Sequence, residues 1–445
     1  MAPPKKKKKT AKKGPGPKKT AKKAKKEVGP KKSSSNLTTS QKVDVLLDKI
    51  NKTFKHARCS RGKDYSLPWY TLRRPTGLVT LDVACAGGLP AGGIVQIIGK
   101  PSVGKTYLLN RILAQVQMYY GDEFAAAVAM TEGRYGKDWA KECGVRTSLS
   151  AKEIFELEYV EKLHNPDFPG FTPEEVAEFT DQVGAGVTEI IGNTAEDLYD
   201  AVLAAHESQL FQVIAIDSLG SMLTKNEDDG DMADKSYGGA SQVNTQFMHK
   251  LSAQMCSLSE EGDANPTTII LINQYRMHIP KPGGGGGFGR RRQEPDMKQG
   301  GGYAVQHGKM LDIEIETAGQ IWSEEINKKT GKKDILGKKM NWEILKQKAG
   351  GHEGHRGFYK HLFASKGASV CDDLTTAGLM YDLIQMSGAW FNLIGDTGNV
   401  VLKGQGREKF VAKLEDYPEF QEYIHDEVMK ANGIKCRYGP IPEAQ

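Results

Sequence analysis

The sequence predicts an α/β protein built on a parallel or mostly parallel sheet with helices on both faces, and three observations carry that reading. From Gly77 to about Ala318, five apolar runs (IVQIIG, AAAVAM, QVIAIDS, TTIILIN and MLDIEIE) alternate with segments of helical periodicity. Strands buried on both faces read as continuous apolar runs, and their alternation with helices is what crossover connections produce. The first run leads directly into Gly99-x4-Gly104-Lys105-Thr106 and then into an amphipathic helical pattern. After about Ser365 an α/β pattern resumes, long enough for a small C-terminal module.

The chain has 445 residues, 38% hydrophobic and 26% charged, enough for one large core with appended modules. It contains no apolar run of about 18 residues and no apolar stretch behind its basic N-terminus, so neither a membrane span nor a secretory signal is expected. A cytoplasmic protein follows. Six scattered cysteines without C-x-x-C spacing argue against a disulfide framework or structural zinc.

Residues 1–35 read as a disordered lysine-rich arm. Residues 1–32 hold 15 lysines and a single acid, Glu27, for a net charge of +14, whereas the remainder of the chain carries −8. Self-repulsion, Pro and Gly leave the arm nothing to bury. Attraction to nucleic-acid phosphates is one use for it, and a solubility tail is the other. In residues 36–72, Val43, Leu46, Leu47, Ile50 and Phe54 fall at helical spacing behind Ser40 as a candidate N-cap. This predicts an oligomerisation helix and a linker. Residues 73–362 form the predicted core, and residues 363–445 the C-terminal α/β domain. Two polar stretches interrupt the core: about 224–239 (TKNEDDGDMADKSYGG), and about 276–302 with GGGGG, RRR and GGG. Gly-rich loops of that length are functional or disordered.

In Gly99, Lys100, Pro101, Ser102, Val103 and Gly104, the glycines let the backbone wrap so that its N–H groups face phosphate. The following helix N-terminus, opened by Lys105, Thr106 and Tyr107, adds positive potential. Lys105 would reach the outer phosphates of ATP, and Thr106 would ligate Mg2+. Asp217, ending VIAID, suits a carboxylate that holds magnesium, or else a strand-end cap. Glu132, ending AAAVAMTE, suits a general base on the attacking water, though strand ends often carry acids. His352-x2-His355 lacks the cysteine and the helical context of a metal site and is not read as one.

Together LDVACAGGLPAGGIVQIIGKPSVGKT, the Glu132 strand, VIAIDS, ILINQYRM and GAWFNLIGDTGNVVLKGQGREK resemble the RecA family of DNA recombinases, in order and in spacing, across roughly residues 40–432. The resemblance implies a RecA-like P-loop ATPase core with an N-terminal docking helix and a small C-terminal α/β domain. It implies that Glu132 is the catalytic base, that Trp139 stacks on adenine and that Gln274, after Asn273, senses the γ-phosphate. It implies that Lys346 and Lys348 reach the ATP of a neighbouring subunit; by themselves they read as a strand's solvated face. The polar stretches fall on the family's two DNA-binding loops. Tyr237 and Gly238 are implied as contacts in the first, and Arg276, Met277, Ile279, Arg290, Arg291 and Arg292 in the second.

The same resemblance implies a helical filament on single-stranded DNA that pairs with duplex DNA and exchanges strands, with a loader or single-strand-binding protein as a further partner. Gln242 stands where the family has arginine, Gln306-His307 replaces a Lys-Phe pair, and residues 148–192 and 320–342 look inserted. The arm and these insertions suit a divergent, phage-encoded member. The rival readings are a ring-forming RecA-like helicase and a nonenzymatic DNA coater with a relic P-loop.

Overall fold

The computed structural model describes residues 38–53, 72–146, 186–219, 222–228, 239–258, 266–277, 297–300, 302–327, 331–363 and 370–434. The chain divides into two units, Met1–Asp64 and Tyr65–Gln445. The first contributes α1 (Thr39–Thr53). Its N-terminus is a reciprocal capping box: the Thr38 hydroxyl accepts from the Gln41 amide at 3.3 Å, and the Gln41 side chain accepts from the Thr38 amide at 3.0 Å. The cap is therefore Thr38 and not Ser40, because the glutamine three residues after Thr38 completes the pair. Val43, Leu46, Leu47 and Ile50 share one face, and no residue of α1 is buried. Phe54 lies outside the described residues.

The second unit opens with β1 (Arg73–Arg74), α2 (Val79–Ala84) and β2 (Leu89–Pro90). Then come β3 (Ile94–Gly99), α3 (Lys105–Tyr120), β4 (Ala125–Met130), α4 (Lys137–Glu142), β5 (Gly186–Ile190), α5 (Ala195–Ser208) and β6 (Val213–Asp217). A short α6 (Lys225–Asp228) precedes α7 (Gly239–Leu258), β7 (Thr268–Met277), β8 (Met297–Gln299) and α8 (Gly302–Gly308). The strand order is β11-β10-β9-β3-β7-β6-β4-β5, with β9 (Leu311–Ile326), β10 (Lys333–Gln347) and β11 (Arg356–Leu362) at one edge.

From β9 to β5 every pairing is parallel, whereas β10 and β11 add in antiparallel fashion. The predicted sheet is therefore mostly parallel, and the described residues of the stretch 320–342 that looks inserted lie mainly on β9 and β10, along its antiparallel side. The apolar runs are continuous because both faces are covered. Val95, Ile97, Ala126, Val128, Ile270 and Ile272 pack with Leu108, Leu109 and Ile112 of α3. The alternate residues Ile94, Ala127, Ala129, Ile269 and Leu271 pack with Leu198 and Val202 of α5 and Phe247 and Leu251 of α7.

A three-stranded antiparallel sheet, β12 (Ile384–Ser387), β13 (Trp390–Ile394) and β14 (Val400–Gln405), follows α9 (Val370–Met380). It precedes α10 (Arg407–Glu415) and α11 (Pro418–Ala431). Phe391, Leu393, Phe410, Leu414, Ile424 and Val428 form its core, into which Val79 of α2 also packs. Among the described residues no helix is long and apolar enough to cross a membrane.

Candidate nucleotide site

Parallel strands deliver their C-terminal ends to one edge, where α/β sheets bind ligands. Here that edge gathers Gly99 from β3, Asp217 from β6, Glu132 two residues past β4, and Gln274 from β7, in register opposite Gly99. The residues that follow Gly99 turn into α3. Gly104, with φ of 82°, takes the left-handed conformation that glycine adopts without strain, and a Cβ on Gly99 would run into the Ile315 carbonyl. The loop therefore needs glycine at both positions.

A cavity of about 370 Å³ opens at this edge. Ser102, Val103, Gly104, Lys105, Thr106 and Tyr107 line it together with Glu132, Trp139, Asp217 and Gln274. Lys105 is only 6% exposed, and its ammonium donates to the carbonyls of Gly99 (3.2 Å) and Lys100 (2.8 Å). Burial lowers its pKa, against the opposing pull of Asp217 and Glu132. The Thr106 hydroxyl donates to Asp217 Oδ2 at 2.6 Å. Burial raises the Asp217 pKa, and the Thr106 hydrogen bond and Lys105 hold it down. A half-buried hydroxyl and a buried carboxylate 2.6 Å apart, beside a buried ammonium, form the hard-oxygen donor set that suits magnesium on a phosphate. Glu132 is exposed to the cavity, with Oε1 accepting from Ser218 Oγ at 3.0 Å. Ser218 is fixed in turn by its amide, which donates to Thr131 Oγ1 at 2.8 Å.

Sequence reasoning finds the strand ends but misses the opposite wall. Lys338, Met340, His361 and Phe363 also line the cavity. His361 stacks on Tyr107 with ring centroids 4.0 Å apart and an interplanar angle of 12°, and Trp139 lies 6.1 Å from it. Burial, followed by the Lys338 charge, lowers the His361 pKa below the ordinary imidazole value. The only sequence signal for this wall is the period-2 alternation of β10 and β11.

Lys346 and Lys348 do not line this cavity. Their ammonium groups donate to the carbonyls of Gln306 and His307 respectively, and neither residue is among those lining the cavity. Arg276 and Met277 end β7, in register with Lys298 and Met297 of β8. Tyr237, Gly238, Ile279, Arg290, Arg291 and Arg292 lie outside the described residues.

A buried polar network connects the site to the flank of that second stretch. Asn273, adjacent to Gln274, donates to Gln96 Oε1 at 3.0 Å and to the Gly300 carbonyl at 2.9 Å. Gln96 donates to Asp312 at 2.8 Å, and Lys309 pairs with Asp312 and donates to Gln299 at 2.9 Å. Charges this deeply buried are retained only when paired and hydrogen-bonded, as these are.

The fold and the loop define a mostly parallel α/β protein with a Gly99-x4-Gly104-Lys105-Thr106 loop at the carboxyl edge of its sheet. No family model matches the chain. Over most of its length, however, it is similar to curated proteins named Protein RecA. It is 27% identical over 409 residues to that of Nitratiruptor sp., covering 91% of this chain and 98% of the relative. It is 26% identical over 404 residues to that of Bdellovibrio bacteriovorus, covering 90% and 88%. Against the protein of Paracoccus denitrificans it is 26% identical over 360 residues, 81% of each. These likenesses support a RecA-like family.

Proposed function

We propose that the chain is an ATP-dependent DNA recombinase that forms a filament on single-stranded DNA and catalyses homologous pairing and strand exchange. The observation that carries this reading is the convergence of Lys105, Thr106, Asp217, Glu132 and Gln274 on one cavity, in a chain similar over most of its length to proteins named RecA. Lys105 and the loop amides bind the phosphates of ATP, and Thr106 and Asp217 hold Mg2+. When bound there, Mg2+ would neutralise charge on the phosphates. Glu132, steadied by Ser218, accepts a proton from the attacking water. Trp139 lies against the base, and Gln274 reports the state of the γ-phosphate to the polar stretch beyond β7.

Lys346 and Lys348 act on the nucleotide of the neighbouring subunit. A head-to-tail interface that does not close generates a helical filament, and cations supplied across it make hydrolysis depend on assembly. Tyr237, Gly238, Arg276, Met277, Ile279, Arg290, Arg291 and Arg292 contact DNA. Base stacking by Tyr237 is worth roughly 1–3 kcal/mol.

The test is ATP turnover with and without single-stranded DNA, paired with electron micrographs of the complexes. Stimulated turnover and open filaments are expected. Closed rings would favour a helicase-like machine, and absent turnover a DNA coater.

The arm makes a separate prediction. A charge of +14 within 32 residues can follow duplex phosphates without fixed geometry, and each neutralised phosphate steepens the log–log salt slope by about 0.9. Deleting residues 1–32 should weaken duplex binding, flatten its salt dependence and slow pairing. Turnover at saturating single-stranded DNA should barely change. An unaltered salt slope would identify the arm as a solubility tail or an address.

A further inference from the structure

The cavity's second wall is a single pleat face. Strands β10 and β11 run antiparallel with Lys338 directly opposite His361 and Met340 opposite Tyr359. Side chains two apart on a strand share a face, and directly opposed residues on neighbouring strands are side by side. Lys338 and Met340 on one strand, with His361 and Phe363 along the other, therefore form one surface, and all four line the cavity. That surface sits on the phosphate-binding loop itself. His361 Nδ1 lies 3.8 Å from the point where a Cβ on Gly104 would stand, and Lys338 Nζ lies 3.5 Å from the Ser102 carbonyl oxygen.

Two features make Lys338 more than a solvated strand lysine. Its contact with Ser102 is at the outer limit of a hydrogen bond and is solvent-exposed, so little is lost when the ammonium turns to a stronger acceptor. Its strand neighbour is also immobilised: His361 is 8% exposed, stacked on Tyr107 and flanked by Phe363 at 5.5 Å, edge-on. The ribbon that carries Lys338 is thus packed onto the first turn of α3. Among the described residues, the cationic side chains lining the cavity are Lys105 and Lys338; His361 is held toward its neutral form.

We propose that Lys338 is a second phosphate-recognising cation, supplied in cis, that grips the nucleotide's phosphate chain together with Lys105. The proposal rests on the reading of this cavity as an ATP site. It divides labour among four lysines: Lys105 and Lys338 act within one chain, whereas Lys346 and Lys348 act only across an assembled interface. The ligand class is a nucleoside di- or triphosphate, since a nucleoside alone offers Lys338 no anion.

The experiment is nucleotide binding to the full-length protein without DNA, by calorimetry at low protein concentration, using ATP, ADP and adenosine with magnesium. Lys338→Gln should weaken ATP by about tenfold, the low end for a lost charge-assisted hydrogen bond. ADP should weaken by a similar or smaller factor, and adenosine should be unaffected. Lys338→Arg should restore most of the ATP affinity. A purely structural role would weaken all three ligands alike and would not be rescued by charge. ATP affinity within twofold of the parent in Lys338→Gln would overturn the proposal, as would an equal loss for adenosine. If the parent itself binds no ATP, the reading of the cavity falls and takes this inference with it. Parent binding with an indifferent Lys338→Gln removes only the inference.

Discussion

Replacing Glu132 by Gln should leave ATP binding intact and cut hydrolysis by about 10²- to 10⁴-fold, the usual worth of a positioned general base. The amide is nearly isosteric and still accepts the hydrogen bond that Ser218 Oγ donates to Glu132 Oε1, so the cavity keeps its shape and loses only its proton acceptor. Filaments on DNA should then persist in ATP, because turnover is what releases them. Lys105→Ala should fail earlier. Removing the ammonium that sits on the Gly99 and Lys100 carbonyls takes away the charge facing the phosphates, and productive binding should be lost. The pair of variants separates the two roles in one measurement, bound nucleotide against released phosphate. Parent-rate turnover by Glu132→Gln would mean that another group activates the water.

The second large effect is expected from Lys346→Ala combined with Lys348→Ala. Within one chain these lysines bond to the Gln306 and His307 carbonyls and do not line the cavity. Nucleotide binding by monomers should therefore be nearly unchanged. DNA-stimulated turnover should fall by about 10³-fold or more, the scale of a cation delivered in trans to phosphoryl transfer. Mixing separates action in trans from a folding defect. A Lys105→Ala partner still supplies Lys346 and Lys348, so mixed filaments should recover part of the turnover at interfaces where its lysines meet an intact cavity. No recovery despite demonstrated co-assembly would count against action across the interface. Measured side by side, Lys338→Gln should show the opposite pattern, weakened binding already in the monomer.

The sequence made the phosphate loop legible because everything the loop needs is contiguous. A strand, two glycines and Lys-Thr at a helix start specify their geometry through backbone sterics and the helix N-terminus alone. The strand-end acids were visible for a related reason, since an apolar run ending in Asp217 or Glu132 fixes where the carboxylate emerges. The cap of α1 was misread by two residues because Ser40 and Thr38 are both acceptable caps, and only the Gln41 side chain reaching back decides between them.

What the sequence by itself determined, then, is the mostly parallel α/β core, the floor of the candidate nucleotide cavity and the charge contrast between arm and body. What only the tertiary structure decided is the cavity's roof. Period-2 alternation says that Lys338 and Met340 share a face, and His361 and Phe363 another, but it cannot say which strands pair or in which register. The register that sets Lys338 against His361 comes from the pairing of β10 with β11, and seating that face on Tyr107 depends on a contact between residues more than 200 positions apart. The same holds for the Gln96–Asn273–Asp312–Lys309 network, where each polar residue looks unremarkable in its own strand. Local rules fix backbone shape and facing, whereas which side chains share a pocket is set by strand order, a property of the whole sheet.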